Sequence, residues 1–172
     1  MKNFVTTMLL TTSITFALNI NEIPKELTLS GDNGSRIDGS AWHSTMLKDK
    51  VYVLLYVDPD KKDDNEDFID VLHSKNYDKE KYGSLAIINL KATWLPNFAI
   101  EKKLESKQKE FPNTTYVKDK TKYLVQEWAL EDDASNVLLF DKKGTLIYQH
   151  SGKVEGDEMQ KFFTLIEKNL DK

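Results

Sequence analysis

Apolar residues along this chain fall into short runs separated by charged turns. Val137–Phe140 is unbroken, the pattern of a strand buried on both faces. Asp141-Lys142-Lys143-Gly144 follows as a turn, with Gly144 free to take positive φ, and Thr145–Gln149 returns as a β-branched and aromatic strand. The spacing predicts a β-hairpin. Val51–Val57 is a second continuous run, bounded by Lys48-Asp49-Lys50 and Asp58-Pro59. Leu85–Leu90 is a third, and Thr115–Lys118 reads as a short strand.

Between these runs the apolar period changes to that of a helix. Phe68, Ile69 and Leu72 mark a helix over Phe68–His73. Asn97 is the expected N-cap of a helix running to about Glu110, with Phe98, Ile100 and Leu104 among its apolar residues and Phe111-Pro112 ending it. Thr121–Trp128 predicts a short helix with Tyr123, Leu124 and Trp128 inward. Asp157–Leu170 predicts the last helix. Met159, Phe162, Phe163, Ile166 and Leu170 form its stripe, and Asp157 with Gln160 forms a capping box.

Nearer the N-terminus, Glu26–Ser30 alternates as a short strand would. Gly31–Ser44 is rich in Gly, Ser, Asp and Asn and reads as loop, with Trp42 packing back onto the core as an apolar plug. After residue 50 the order is β-α-β-α-β-α-β-β-α. That order predicts an α/β fold: a central mixed β-sheet flanked by helices, closed by a C-terminal β-hairpin plus helix. No repeat, low-complexity segment or linker divides the chain, and 172 residues suit one domain, residues 18–172.

Charge and composition narrow the function. The formal charge is −4, from 24 Lys+Arg against 28 Asp+Glu, and Arg36 is the lone arginine, a poor match for a nucleic-acid partner. The absence of cysteine removes disulfides, thiol redox chemistry, thiolate nucleophiles, zinc–cysteine sites and lipoprotein acylation. Lys2, the moderately apolar Phe4–Phe16 and the small-x-small Thr15-Phe16-Ala17 predict a signal peptide over residues 1–17, cleaved after Ala17, and hence export. The alternative is a buried N-terminal strand or an uncleaved anchor. No later run is long enough for a membrane helix, so no membrane association is expected after cleavage.

The densest group of potential ligands is the acidic loop Asp58–Asp67. Asp58, Asp60, Asp63 and Asp64, with Glu66 and Asp67, could offer oxygen ligands to a hard cation. Lys61 and Lys62 interrupt the run and no glycine sits at the EF-hand turn position. The plainer reading is that Asp63 or Asp64 caps the next helix and the other carboxylates complement its positive end. Glu131-Asp132-Asp133 is expected on the same rim, as a solvated acidic edge rather than a general acid–base pair. His43, His73 and His150 lack metal spacing, Ser40, Ser44 and Ser135 lack a nucleophile-elbow context, and no glycine-rich phosphate loop is present. Trp94-Leu95-Pro96 could offer an aromatic anchor to a partner, with burial beneath the next helix the plainer expectation.

The element order is similar to that of thioredoxin. Phe111-Pro112, Tyr116-Val117-Lys118-Asp119, Trp128-Ala129-Leu130, Leu139–Gly144 and Gly152 resemble the TlpA/peroxiredoxin-type half-domain. The run Leu130-Glu131-Asp132-Asp133-Ala134-Ser135-Asn136-Val137-Leu138-Leu139-Phe140-Asp141-Lys142-Lys143-Gly144 resembles the YtfJ-type family of small bacterial periplasmic proteins. So do Lys50-Val51-Tyr52-Val53-Leu54 and Leu104-Glu105-Ser106. The resemblance implies a thioredoxin-like fold and periplasmic export, and carries no settled biochemical role. Redox-active thioredoxin-like proteins place Cys-x-x-Cys between the first central strand and its helix, where this chain has Asp58–Asn65. Their cis-proline position falls at Ser135, and a trans Ala134–Ser135 bond is expected, because a non-proline cis bond costs roughly 2.5–4 kcal/mol. The resulting expectation is a non-redox binding protein without a cofactor, its partner an unidentified envelope protein or small ligand. The alternative is a cysteine-independent enzyme or divalent-cation-binding protein using the acidic loop.

Overall fold

The computed structural model describes residues 17–171. The expected signal peptide, up to Phe16, lies outside the described residues, and Ala17 begins them as an exposed residue.

The strands are β1 (Thr28–Leu29), β2 (Gly34–Arg36), β3 (Trp42–His43), β4 (Val51–Val57), β5 (Tyr82–Asn89), β6 (Thr114–Asp119), β7 (Ser135–Phe140) and β8 (Leu146–Ser151). The helices are α1 (Glu66–Ser74), α2 (Asn97–Glu110), α3 (Tyr123–Trp128) and α4 (Gly156–Leu170). The main sheet has six strands in the order β2-β6-β5-β4-β7-β8. β4, β5 and β6 run parallel, with Val51 opposite Tyr82 and Ser84 opposite Thr114. β7 runs antiparallel to β4 and β8 antiparallel to β7, so the expected hairpin forms. Gly144 takes φ 82° in its turn, and the Asp141 carboxylate accepts from the N–H groups of Lys143 and Thr145, both at 2.9 Å.

The steps β4→β5→β6 go the same way across the sheet. Right-handed crossovers therefore place α1 and α2 on one face. There Val53, Leu55 and Leu139 pack with Phe68, Phe162 and Ile166, while Ala86 and Ile88 meet Ile100 and Leu104. The return step from β6 to β7 carries α3 to the other face. Leu124 and Trp128 cover Leu54, Tyr56 and Leu138 there, joined by Leu29 and Trp42 from the small β1–β3 sheet. Trp42 is the apolar plug its sequence context predicts: it is 1% exposed and meets Trp128 edge-on, with ring centroids 6.5 Å apart.

The structure departs from the sequence reading at several element ends. The expected loop Gly31–Ser44 holds both β2 and β3. β2 owes its existence to pairing with β6 rather than to local alternation. A Cβ on Gly34 (φ 150°) would fall 1.9 Å from the Lys118 carbonyl oxygen, so only glycine permits this approach. Asn97 is the first residue of α2 rather than its cap; Pro96 holds the cap position and no side chain bonds there. The Asp157–Gln160 capping box is not formed, since α4 starts at Gly156 with Glu155 at the cap and no side-chain bond. Tyr123 is half-buried and packs against the core beside Leu124 and Trp128, as expected. Among the described residues no helix is long and apolar enough to cross a membrane.

Candidate functional site

Parallel strands leave their carboxyl ends along one edge, and ligands of open α/β sheets gather there. In this chain that edge joins the ends of β4, β5 and β6 to the start of β7, since Ser135 pairs with Val57. The loops meeting there are Asp58–Asn65, residues 90–96, residues 120–122 and residues 129–134.

Each loop is pinned by a buried polar residue at a strand end. Asp58 is 3% exposed and accepts from the Asp60 N–H at 2.8 Å, starting a single 3-10 turn with Pro59 at its first position. Asn89 accepts from the Lys91 N–H and donates to the Asp132 carboxylate, both at 3.1 Å, and Asp132 also pairs with Lys122. Asp119 is fully buried. Its carboxylate accepts from the N–H groups of Thr121, Tyr123 and Leu124 and from the Tyr56 hydroxyl, at 2.9–3.1 Å. It does for α3 what a cap would do, because Lys122 at the helix start has a left-handed backbone and no capping side chain. Asn136 accepts from Ser151 Oγ at 2.8 Å and donates to the Glu131 carbonyl at 2.8 Å. Asn65 holds the end of β8, donating to the Gly152 carbonyl at 2.9 Å and accepting from the Val154 N–H at 2.7 Å.

The acidic residues do not gather as a metal cage would require. Asp58 turns into its own loop, while Asp60 is exposed and accepts from Thr93 Oγ1 at 2.8 Å. Asp63 pairs with Lys62, and Asp64 is half-buried. Among the described residues no group of three or more His, Asp or Glu side chains could hold a metal ion. Neither Asp63 nor Asp64 caps α1 through its side chain. Asn65 takes the cap position, and Glu66 and Asp67 supply the negative first turn. The second acidic run does share the rim, since the Asp133 carboxylate raises the pKa of Asp58 through space.

The histidines stand apart from this edge's polar network. His43 Nδ1 meets Thr28 Oγ1 at 2.9 Å, His73 stacks on Phe111, and His150 Nε2 lies 3.0 Å from the Lys153 carbonyl. Ser40 bonds Asp38, and Ser44 accepts from the Leu27 N–H. Ser135 is buried in register with Val57, and among the described residues no peptide bond is cis. Trp94 contradicts its expected burial beneath α2, being 85% exposed, and Phe98 beside it is 74% exposed. Asn65, Asn89, Asp119 and Asn136 were not legible as site residues. The only local signal was an Asn or Asp at the end or start of an apolar strand for Asn89, Asp119 and Asn136, and before a helix for Asn65.

Burial raises the Asp58 carboxyl above its ordinary 3.8; the nearby carboxylates of Asp60 and Asp133 add to this, and the Asp60 N–H opposes it. The folded protein therefore holds this proton to higher pH than the unfolded chain. The resulting stabilisation is complete below the unfolded pKa and is lost as pH rises through the folded one. Asp58→Asn keeps an acceptor for the Asp60 N–H and removes the charge. It is expected to raise the thermal midpoint near about pH 7, with the gain vanishing as pH falls below the carboxylate range. A lowered midpoint at neutral pH would show the carboxylate to be stabilising. Tyr56 is pushed far above its ordinary 10.0 by burial and by the Asp119 charge, so its hydroxyl stays a donor.

Chemically, this edge offers hydrogen-bonding groups, carboxylates and exposed aromatic surface. It has no thiol.

A family model described as "Bacterial protein of unknown function (YtfJ_HI0045)" matches residues 15–169. The protein YtfJ of Escherichia coli (strain K12), described as uncharacterized, is 26% identical over 149 residues, covering 84% of this chain and 79% of that protein. Among solved structures, a protein assigned as thiol:disulfide interchange protein DsbE from Chlorobium tepidum superposes with a TM-score of 0.61 at 14% identity, over 90% of this chain and 99% of that one. A thiol-disulfide isomerase from Corynebacterium glutamicum superposes at 0.59 and 14% identity, over 80% and 92%. At these identities the structures show a shared thioredoxin-like fold and no shared chemistry. The chain has that fold without any cysteine, and it belongs to the YtfJ_HI0045 family of bacterial proteins.

Proposed function

We propose that this chain is exported to the periplasm and acts there as a non-redox binding protein, using the carboxyl-end edge of its sheet to engage a partner protein or small ligand. One observation carries the reading. The β4–α1 connection, where redox-active thioredoxin-like proteins hold their thiols, is here Asp58–Asn65, turned at its start by Asp58 on the Asp60 N–H and tied to residues 152 and 154 at its end by Asn65. The loop holds no residue capable of thiol exchange. Export rests on the charged and apolar leader pattern ending at Ala17.

Two measurements test this. Fractionation of cells expressing the full chain is expected to recover a periplasmic form whose first residue is Leu18; retention in the cytoplasm would overturn export. Cross-linking in intact cells is expected to join the protein to a defined envelope component. With the purified protein, insulin reduction should not rise above background, and turnover there would overturn the non-redox reading.

A further inference from the structure

The β5–α2 junction turns two aromatic rings outward, and the local geometry explains why. Thr93 Oγ1 donates to Asp60 and accepts from the Leu95 N–H at 3.3 Å, fixing the loop. Leu95 packs inward against the layer beneath α2. Ile100 and Leu104, one helical turn apart, form the buried stripe of α2. Phe98 lies two residues before Ile100, about 200° round the helix, and so faces away from that stripe. Trp94 and Phe98 are thus exposed by construction, in contrast to Trp42 and Trp128, each 1% exposed. Large exposed aromatic rings at a loop junction are typical anchors of interaction surfaces.

The charge beside them selects the occupant. The loops that meet at this edge, residues 58–67, 90–96, 120–122 and 131–133, carry nine carboxylates and five lysines, a net −4 that equals the charge of the whole chain, so the remainder is neutral. The Thr93–Asp60 bond places Trp94 next to this negative rim. An anionic lipid surface would be repelled, and a second copy docking symmetrically would oppose one acidic rim to another. A chain bearing both cationic and apolar side chains satisfies both halves of the surface.

Resting on the binding-protein reading above, we propose that Trp94 and Phe98, with the acidic rim beside them, dock a polypeptide segment of a partner protein that carries lysine or arginine next to apolar residues.

The test uses Trp94 as its own reporter, because the other two tryptophans are buried. Fluorescein-labelled short peptides are titrated onto the protein: one alternating Lys with Leu, one Glu with Leu, one Lys with Ser. The Lys–Leu peptide is expected to bind, to shift tryptophan emission to the blue and to shield it from acrylamide. Trp94→Ala is expected to weaken binding about tenfold or more, and Phe98→Ala by several-fold. Both side chains are exposed, so both variants should fold. Binding should also weaken in about 1 M salt, where screening shortens to about 3 Å. Equal binding of the Glu–Leu peptide, unchanged affinity in both variants, or no binding of the Lys–Leu peptide would each overturn the proposal. An envelope cross-link that survives Trp94→Ala with Phe98→Ala would overturn this surface alone. Loss of every cross-link from the unmodified protein would overturn the binding reading itself.

Discussion

Replacing Asp119 by alanine is expected to destabilise the protein by about 3–5 kcal/mol, among the largest effects a single substitution causes. The carboxylate is fully buried and accepts from three backbone N–H groups and one tyrosine hydroxyl. Alanine would leave all four donors without this acceptor, two of them in bonds that are fully buried. Each orphaned donor costs roughly 1–3 kcal/mol, and partial relaxation keeps the total below the sum. Against a stability of about 5–15 kcal/mol, this brings the chain near its unfolding threshold. Urea unfolding should show a much lower midpoint with an unchanged slope. Tyr56→Phe is the control: it removes one donor and leaves the carboxylate bonded to three others, so a loss of only about 1 kcal/mol is expected. A small effect for Asp119→Ala would mean that water or a rearranged α3 satisfies the freed groups.

Phe68→Ala is expected to cost a similar amount, about 3–5 kcal/mol, for a different reason. α1 has nine residues, too few to be stable in isolation, and holds its place through Phe68 and Leu72. The Phe68 ring meets Phe162 edge-on at 4.9 Å and Phe163 at 5.7 Å. Truncation leaves a cavity between sheet and α4, with neighbours too tightly packed to close it. Because α1 follows the Asp58–Asn65 connection directly, amide exchange in that loop should quicken along with the global loss. Equal protection of the loop in both proteins would show that Asp58 and Asn65 hold it without help from the helix.

Both effects arise from tertiary structure, yet they differ in how far the chain foretells them. Phe68 lies in a plain helical pattern, and its burial follows from the spacing to Ile69 and Leu72. Asp119 carries no such sign. It ends a short strand that reads as four residues, and its role depends on a helix start that has no capping side chain of its own. The same contrast runs through the candidate site. The acidic runs are conspicuous in the chain and prove to be dispersed. The asparagines that fasten the loops are inconspicuous because their partners are far away in sequence: Asn65 bonds residues 152 and 154, and Asn89 bonds Asp132.

Alternation and apolar runs, acting over a few residues, were enough to determine the order of strands and helices after residue 50 and the C-terminal hairpin. Those are local properties, because a backbone period of two or 3.6 residues dictates which side chains share a face. Composition alone determined the loss of thiol chemistry. Strand pairing across long separations was decided only in three dimensions. β2 is a strand because β6 lies beside it and Gly34 lets the backbones approach. Trp94 and Phe98 are exposed because Leu95, Ile100 and Leu104 take the inward positions that α2 offers, so these two aromatic rings stay at the surface.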